Sequence, residues 1–277
     1  MVRLLALTSS PLFNEGMDKP TVALWFNLAR SGGTLIARCL GCMDRVVLLS
    51  EVHPLGVRMI DPALQALRWH GLVKKQELAD FQPPRCRYDQ MICKLAQRTR
   101  HGGHQQQGHL VLRDWSHLDF LGVPFTTPSM ESRSARVLMQ GCILHQFATV
   151  RHPMDQWISQ QRLDMLRNQV DPVVYLEGVL AFAHLASQTG FVRYEDFTRE
   201  PGPTLAVLCE GLGIPFDPTW SDKYAHYAKV TGDQATMAAR IGPIRRATRH
   251  DAPKEIHALF MASDAYRKTC ALLGYEI

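Results

Sequence analysis

Apolar and polar positions along the chain follow two different periods. Short apolar runs with few charges occur at Val22–Leu28, Arg45–Leu49, His109–Arg113, Gln146–Val150 and Gly190–Arg193. Runs of this length between turn residues predict buried strands. Between them, apolar residues recur at helical spacing over Thr34–Cys42, Asp61–His70, Tyr88–Arg100, Pro153–Asn168, Pro172–Gln188, Thr204–Gly211 and Pro253–Leu273. Strands that alternate with helices predict an α/β fold, with a parallel sheet flanked by helices on both faces and ligands at the carboxyl ends of the strands. Asp61 before Pro62 and Asp171 before Pro172 have the form of N-caps, and Gly102-Gly103 closes the helix that ends near His101. His101–Gly108, Gly122–Arg133 and Thr231–Ala252 show no regular period and are read as loops.

The strand at Val22–Leu28 runs into Ala29-Arg30-Ser31-Gly32-Gly33-Thr34-Leu35, a glycine turn followed by a helix start. Backbone N–H groups at such a helix N-terminus converge where about half a positive charge sits, so phosphate is the expected guest. An ATP-type loop reads G-x-x-x-x-G-K-[ST]. Here Asn27 stands in place of the first glycine and Gly33 in place of the lysine that would reach the terminal phosphates. That substitution argues against a P-loop kinase.

Two further segments carry the same logic. Phe147-Ala148-Thr149-Val150-Arg151-His152-Pro153 is an apolar strand ending in a basic residue, with Pro153 suited to the first helical position and Ser159 on the helix behind it. An arginine at a strand end and a hydroxyl two turns into the next helix can converge on one phosphate. Arg193-Tyr194-Glu195-Asp196-Phe197 is followed by an apolar-periodic run to Leu212 and by Gly213-Ile214-Pro215-Phe216-Asp217.

In order and spacing, these three segments resemble the nucleotide-binding motifs of the sulfotransferases that use 3′-phosphoadenosine 5′-phosphosulfate (PAPS). The resemblance spans about residues 22 to 220. It implies a single P-loop nucleotide-hydrolase-like domain, extended by a C-terminal basic loop and helix over residues 240–277. It also implies binding roles: Arg30, Thr34 and the amides of Ser31, Gly32, Gly33, Thr34 and Leu35 for the 5′-phosphosulfate, Arg151 and Ser159 for the 3′-phosphate, and Tyr194 for the adenine. The family's C-terminal basic-glycine loop has no clean match, and one of Arg245, Arg246 and Arg249 is expected to serve in its place. Sulfuryl transfer needs a base for the acceptor's proton and cations for the moving oxygens. Glu51, just after the second strand, resembles the catalytic glutamate of the tyrosylprotein and heparan-type enzymes. His117 is the alternative base, in Arg113-Asp114-Trp115-Ser116-His117, where the small-molecule cytosolic enzymes have a histidine two residues after a lysine. Here the gap from Arg113 to His117 is four; Arg113-Asp114 resembles instead the Lys-Asp pair that ends this strand in the tyrosylprotein enzymes, and arginine can clamp charge but cannot release a proton. Ala29, Gly33 and Arg113 depart from the family pattern, and a degenerate, non-catalytic nucleotide-binding protein of the same fold is the competing reading. The implied acceptor is a hydroxyl or amine of a small molecule or glycan, with no metal required.

Composition narrows the class without changing it. The chain has 277 residues, 46% hydrophobic and 21% charged, as expected for a globular protein with a sizeable core. Two phosphate motifs far apart in sequence must meet on one nucleotide, which favours one domain over two. The net charge of +5 includes the cluster Arg240, Arg245, Arg246, Arg249. No recognition-helix or aromatic RNA-binding pattern accompanies it, so a polyanionic nucleotide explains it better than nucleic acid does. The seven cysteines are scattered and read as reduced, mostly buried thiols; Cys39 and Cys42 are one helical turn apart, and no spacing completes a zinc site. The His/Gln loop at 101–109 reads as a solvated linker rather than a metal site. No run of about 20 apolar residues predicts a membrane span, and Val2–Leu7 is too short for a signal-peptide core, so a cytoplasmic enzyme is expected. The oligomeric state is not specified by the sequence.

Overall fold

Thr21–Asn27 (β1), Val46–Val52 (β2), His109–Asp114 (β3), Ile143–Val150 (β4) and Phe191–Arg193 (β5) form one all-parallel sheet in the order β2-β3-β1-β4-β5. The computed structural model describes residues 19–101, 108–232 and 243–277. The helices are Gly33–Gly41 (α1), Pro62–Gln65 (α2), Tyr88–His101 (α3), His117–Phe120 (α4), Arg133–Leu138 (α5), Pro153–Gln161 (α6), Pro172–Thr189 (α7), Tyr194–Arg199 (α8), Pro201–Gly211 (α9), Trp220–Lys223 (α10), Lys254–Ala262 (α11) and Asp264–Leu273 (α12).

The period-two rule is visible in β1, the central strand. Val22, Leu24 and Phe26 face one core with Met91, Ile92 and Leu95 of α3, Trp157 of α6, Phe182 of α7 and Tyr266 of α12. Ala23 and Trp25 face the other, with Ile36 and Leu40 of α1 and Leu205 and Leu208 of α9. A strand buried on both faces is apolar almost throughout, which is why Val22–Leu28 is so legible as a strand. Trp25 sends its indole N–H to Thr149 Oγ1 on β4 (3.2 Å), so even its polar atom is satisfied inside the sheet.

After β1 the chain crosses by α1 to β2 on one side of the sheet, and after β4 it crosses by α6 and α7 to β5 on the other. The connections leaving β1 and β4 thus part to opposite faces of the sheet, which opens a crevice outside the carboxyl ends of these two paired strands.

Both N-caps form: Asp61 accepts from the Ala63 and Leu64 amides, and Asp171 from the Val173 amide. The Gly102-Gly103 cap lies outside the described residues. Three helices differ from expectation. Asp61–His70 begins as α2 and continues over Ala66–His70 as a π-helical turn closed by Gly71. Pro153–Asn168 ends early: α6 stops at Gln161, whose Oε1 accepts from the Asn168 amide and folds residues 162–168 into turns. Pro253–Leu273 is two helices, because Ser263 is extended and its Oγ accepts from the Tyr266 amide as a new N-cap. The stretch Gly122–Arg133 is irregular as expected, but α5, which follows it, had no strong apolar period to announce it.

Candidate active site

The turn after β1 is built to hold its shape without side-chain capping. Ser31 bonds back to the Leu28 carbonyl through both Oγ (2.7 Å) and N (3.3 Å), Arg30 is left-handed at φ 66, and Gly32 at φ 83 precedes the first turn of α1. The first N–H groups of a helix lack intrahelical partners. Those of α1 therefore face the crevice end of the sheet. Gly32 has no substitute here: a β-carbon would stand 2.2 Å from Cδ2 of Tyr194, whose ring lies against the turn. Two glutamines of α6 also brace this loop, Gln156 and Gln160 both donating to the Ala29 carbonyl (2.7 and 3.4 Å).

On the β4 side, Arg151 Nη1 donates to the Arg30 carbonyl (2.9 Å), Nη2 meets His250 Nε2 (3.2 Å), and its guanidinium carbon lies 5.2 Å from the Tyr194 ring centre. Arg151 Nε is buried with no hydrogen-bond partner among the described residues. Arg30 Nε donates to Ser159 Oγ (3.1 Å), so the arginine expected beside the phosphosulfate reaches toward the serine expected at the 3′-phosphate. A cavity of about 190 Å³ opens beside them, lined by Arg151, Arg199, Arg246 and Arg249 with Asp155 and Glu195. Arg249 pairs with Asp155 (2.9 Å), and the His250 amide donates to the same carboxylate (2.7 Å), which fixes the C-terminal segment against α6. Arg245 is exposed and does not line this cavity.

At the other end of the crevice, Glu51 sits inside β2 rather than past its end. Ser50 pairs with Arg113 and Val52 with Asp114, so Glu51 is the extra residue of a β-bulge, at φ 55. A bulge re-aims the side chain it carries. Arg113 gathers the site: Nε donates to Asn27 Oδ1 (3.1 Å), Nη1 to Ser50 Oγ (3.4 Å) and the Thr231 carbonyl (3.3 Å), and Nη2 to Glu51 Oε1 (3.2 Å). Burial raises the Glu51 pKa, but the Arg113 charge beside it, with Thr231 and His117, outweighs that and leaves it below the ordinary carboxylate value. Glu51 is therefore ionised at neutral pH.

His117 is different. Burial pushes its pKa down to about 4, with Glu51 opposing and Arg113 and His53 assisting. The Trp115 indole N–H donates to His117 Nε2, so the neutral ring carries its proton on Nδ1. Behind these groups lies a buried network that sequence inspection missed. His53 donates from Nε2 to Asp119 (3.1 Å) and accepts the Leu55 amide at Nδ1 (3.1 Å), while Asp119 also takes Arg133 (2.9 Å). Asp114, bonded by Ser116 and Ser134, is raised to about 6 by burial, with His53 lowering it and Asp119 adding to the rise. His53, Asp114 and Asp119 sit among apolar neighbours one to six positions from Glu51 or Arg113, which is the signal that was available. Among the described residues no group of three or more His, Cys, Asp or Glu side chains is placed to hold a metal ion, and no helix is long and apolar enough to cross a membrane.

No family model matches the chain, and no curated protein matches it. Solved structures do. The sulfotransferase domain of the Synechococcus PCC 7002 olefin synthase superposes with a TM-score of 0.65 at 16% identity, over 95% of this chain and 98% of that one. The chain has a sulfotransferase fold. The sulfotransferase domain from the curacin biosynthetic pathway agrees, with a TM-score of 0.56 at 16% identity over 93% and 99% of the two chains.

Proposed function

We propose that this chain is a PAPS-dependent sulfotransferase acting on a hydroxyl or amine of a small molecule or glycan. The observation that carries the reading is the basic cavity at the β1–β4 crevice, where Arg151 presents a buried Nε without a partner among the described residues beside three further arginines. A 3′-phosphate satisfies both the orphaned donor and the unbalanced charge. In this reading Arg151, Ser159 and Arg30, supported by Arg246 and Arg249, hold the 3′-phosphate. The amides of residues 31–35 and the Thr34 hydroxyl hold the 5′-phosphosulfate. Tyr194 borders the adenine. PAPS supplies the sulfuryl group and leaves as adenosine 3′,5′-bisphosphate.

The chain's own groups divide the remaining work. Arg113 balances negative charge on the moving sulfonate, and its planar fork is held by Asn27 and Ser50 so that little reorganisation is needed. Glu51, ionised and aimed by its bulge, takes the acceptor's proton. His117, with its proton on Nδ1, can donate a hydrogen bond to the acceptor but is not available as the base in this state.

The test is calorimetric titration with adenosine 3′,5′-bisphosphate in EDTA, followed by turnover with labelled PAPS across an acceptor panel. Saturable binding without magnesium, and labelling of an acceptor, are expected. Tighter binding of magnesium-ATP would overturn the reading in favour of a kinase, and nucleotide binding without turnover of any acceptor would favour a non-catalytic protein.

A further inference from the structure

Cys93 and Cys142 lie far from the crevice, at the opposite end of the sheet. Cys93 is in the middle of α3, and Cys142 immediately precedes β4, whose other end leads to Arg151. Their sulfurs are 2.7 Å apart although the residues are 49 positions apart in sequence. That is closer than two sulfurs in ordinary non-bonded contact and within easy reach of the S–S bond of about 2.05 Å. The other five thiols have different surroundings: Cys42 directs its Sγ to the Cys39 and Trp220 carbonyls (3.2 and 3.5 Å), Cys209 meets Met43 Sδ (3.7 Å), Cys86 takes the Lys94 ammonium (3.6 Å), and Cys39 and Cys270 are buried.

We propose that Cys93 and Cys142 form a redox-active dithiol that a hydroperoxide closes to a disulfide, locking α3 onto the entry of β4. Either sulfur can donate in this contact. The electrostatics divide the roles: the shared bond lowers the Cys93 pKa against burial and raises that of Cys142, which burial raises further. Cys93 is thus the first thiolate, and nucleophilicity toward peroxide follows thiolate character. Its sulfur attacks the O–O bond, giving Cys93 sulfenic acid and hydroxide. The Cys142 sulfur then attacks the Cys93 sulfur, forming S–S and expelling the sulfenic oxygen, which leaves as water with the Cys142 proton. Two thiols lose two electrons and two protons in all, and one hydrogen peroxide becomes two waters.

Both thiols are buried, so an oxidant reaches them through local opening of the turn after α5, where Gln140 and Ile143 are exposed. A third ligand that would make the pair a metal site is absent among the described residues. The loop closed by the bond contains β3, α4 and α5, and with them Arg113 and His117. Cross-linking it restricts the unfolded chain while leaving the crevice unstrained, since neither sulfur touches a crevice residue.

The experiment uses the full chain, once reduced with dithiothreitol and once treated with hydrogen peroxide. Both samples are denatured, alkylated and mapped under non-reducing conditions. The expected result is a Cys93–Cys142 linked peptide and loss of two of the seven free thiols. The melting temperature should rise by roughly 5–10 °C and return on reduction. Affinity for adenosine 3′,5′-bisphosphate should be the same in both forms. In Cys93→Ala and in Cys142→Ala the shift should vanish. Where either variant fails to fold, the wild-type peptide map decides alone. Seven alkylated thiols after peroxide, sulfinic acid at Cys93 without a cross-link, or linkage of either residue to another cysteine would each overturn the proposal.

Discussion

Gly33 leaves the space that Arg113 fills: a β-carbon at Gly33 would stand 2.8 Å from Nη2 of Arg113 and 2.3 Å from Nδ2 of Asn27. The glycine in the turn and the arginine on β3, both departures from the pattern that the resemblance implies, therefore share one volume, together with Asn27. A guanidinium is wider than an ammonium, and glycine in the turn leaves room for it. Gly33→Thr alone should overpack the site and destabilise the fold by about 1–3 kcal/mol. Combined with Arg113→Lys, part of that loss should be recovered. Melting the two single variants and the double variant gives the coupling energy, and strict additivity would show that the two positions do not compete for one volume.

Arg151→Ala should weaken adenosine 3′,5′-bisphosphate binding by roughly 10- to 150-fold, the effect of losing one charge-assisted contact of about 1.5–3 kcal/mol. Turnover at saturating PAPS should change little, because the cavity lined by Arg151 lies across the crevice from Glu51. Ser159→Ala should weaken binding less, since its hydroxyl is also engaged by Arg30 Nε (3.1 Å). Titration calorimetry measures both, and unchanged affinity in Arg151→Ala would remove the 3′-phosphate assignment.

The parts of this molecule that were readable in its sequence are those with a one-dimensional signature. β1 is apolar on both faces, Asp61 and Asp171 cap their helices through local bonds, and Gly32 is required by a turn that its neighbours also announce. The parallel sheet, with its ligand end at the carboxyl ends of the strands, follows from alternation of strands and helices together with the motif positions, whereas the strand order does not. What could not be read depends on contacts across the chain. The bulge at Glu51 is defined only by its pairing with β3, the Arg113 fork needs Asn27, Ser50 and Thr231 from three separate segments, and His53 finds Asp119 only after β2 and α4 are packed. The break at Ser263 was local, but a serine in a helical period is equally compatible with continuation.

Acid should destabilise this fold well before its surface carboxylates titrate. Burial, the largest cause in each case, lowers His70, His117 and His152 to about 4 from an ordinary 6.5. A histidine with a depressed folded pKa favours the fold above about pH 6.5 and loses that contribution as pH falls toward 4. For His117 the loss is on the order of 3 kcal/mol at most across that window. Asp114 works in the opposite direction: with a folded pKa near 6 against 3.8, it takes up a proton in the native state first and gains stability as pH falls. The net expectation is a falling melting temperature from pH 6.5 to 4.5, less steep in His117→Gln and steeper in Asp114→Asn. Equal slopes in wild type and His117→Gln would mean that His117 is not the buried neutral ring described.

The base is decided by two variants and one pH profile. Glu51→Gln should preserve adenosine 3′,5′-bisphosphate affinity and lower turnover by about 10²–10⁴, the usual contribution of a positioned general base. Glutamine keeps the size and the bond to Arg113 but cannot accept a proton. His117→Ala should retain measurable turnover, because the ring nitrogen that could accept is already taken by the Trp115 indole and the other bears the proton. With Glu51 held below the usual carboxylate value by Arg113 against its burial, and His117 near 4, neither group titrates around neutrality. Initial rates measured where the protein stays folded should therefore show no inflection between about pH 7 and 8, above the titration of the buried Asp114 near 6. An acid limb centred near 6.5 would bring a histidine of ordinary pKa into the reaction, and a dead His117→Ala beside an active Glu51→Gln would transfer the role of base to the histidine.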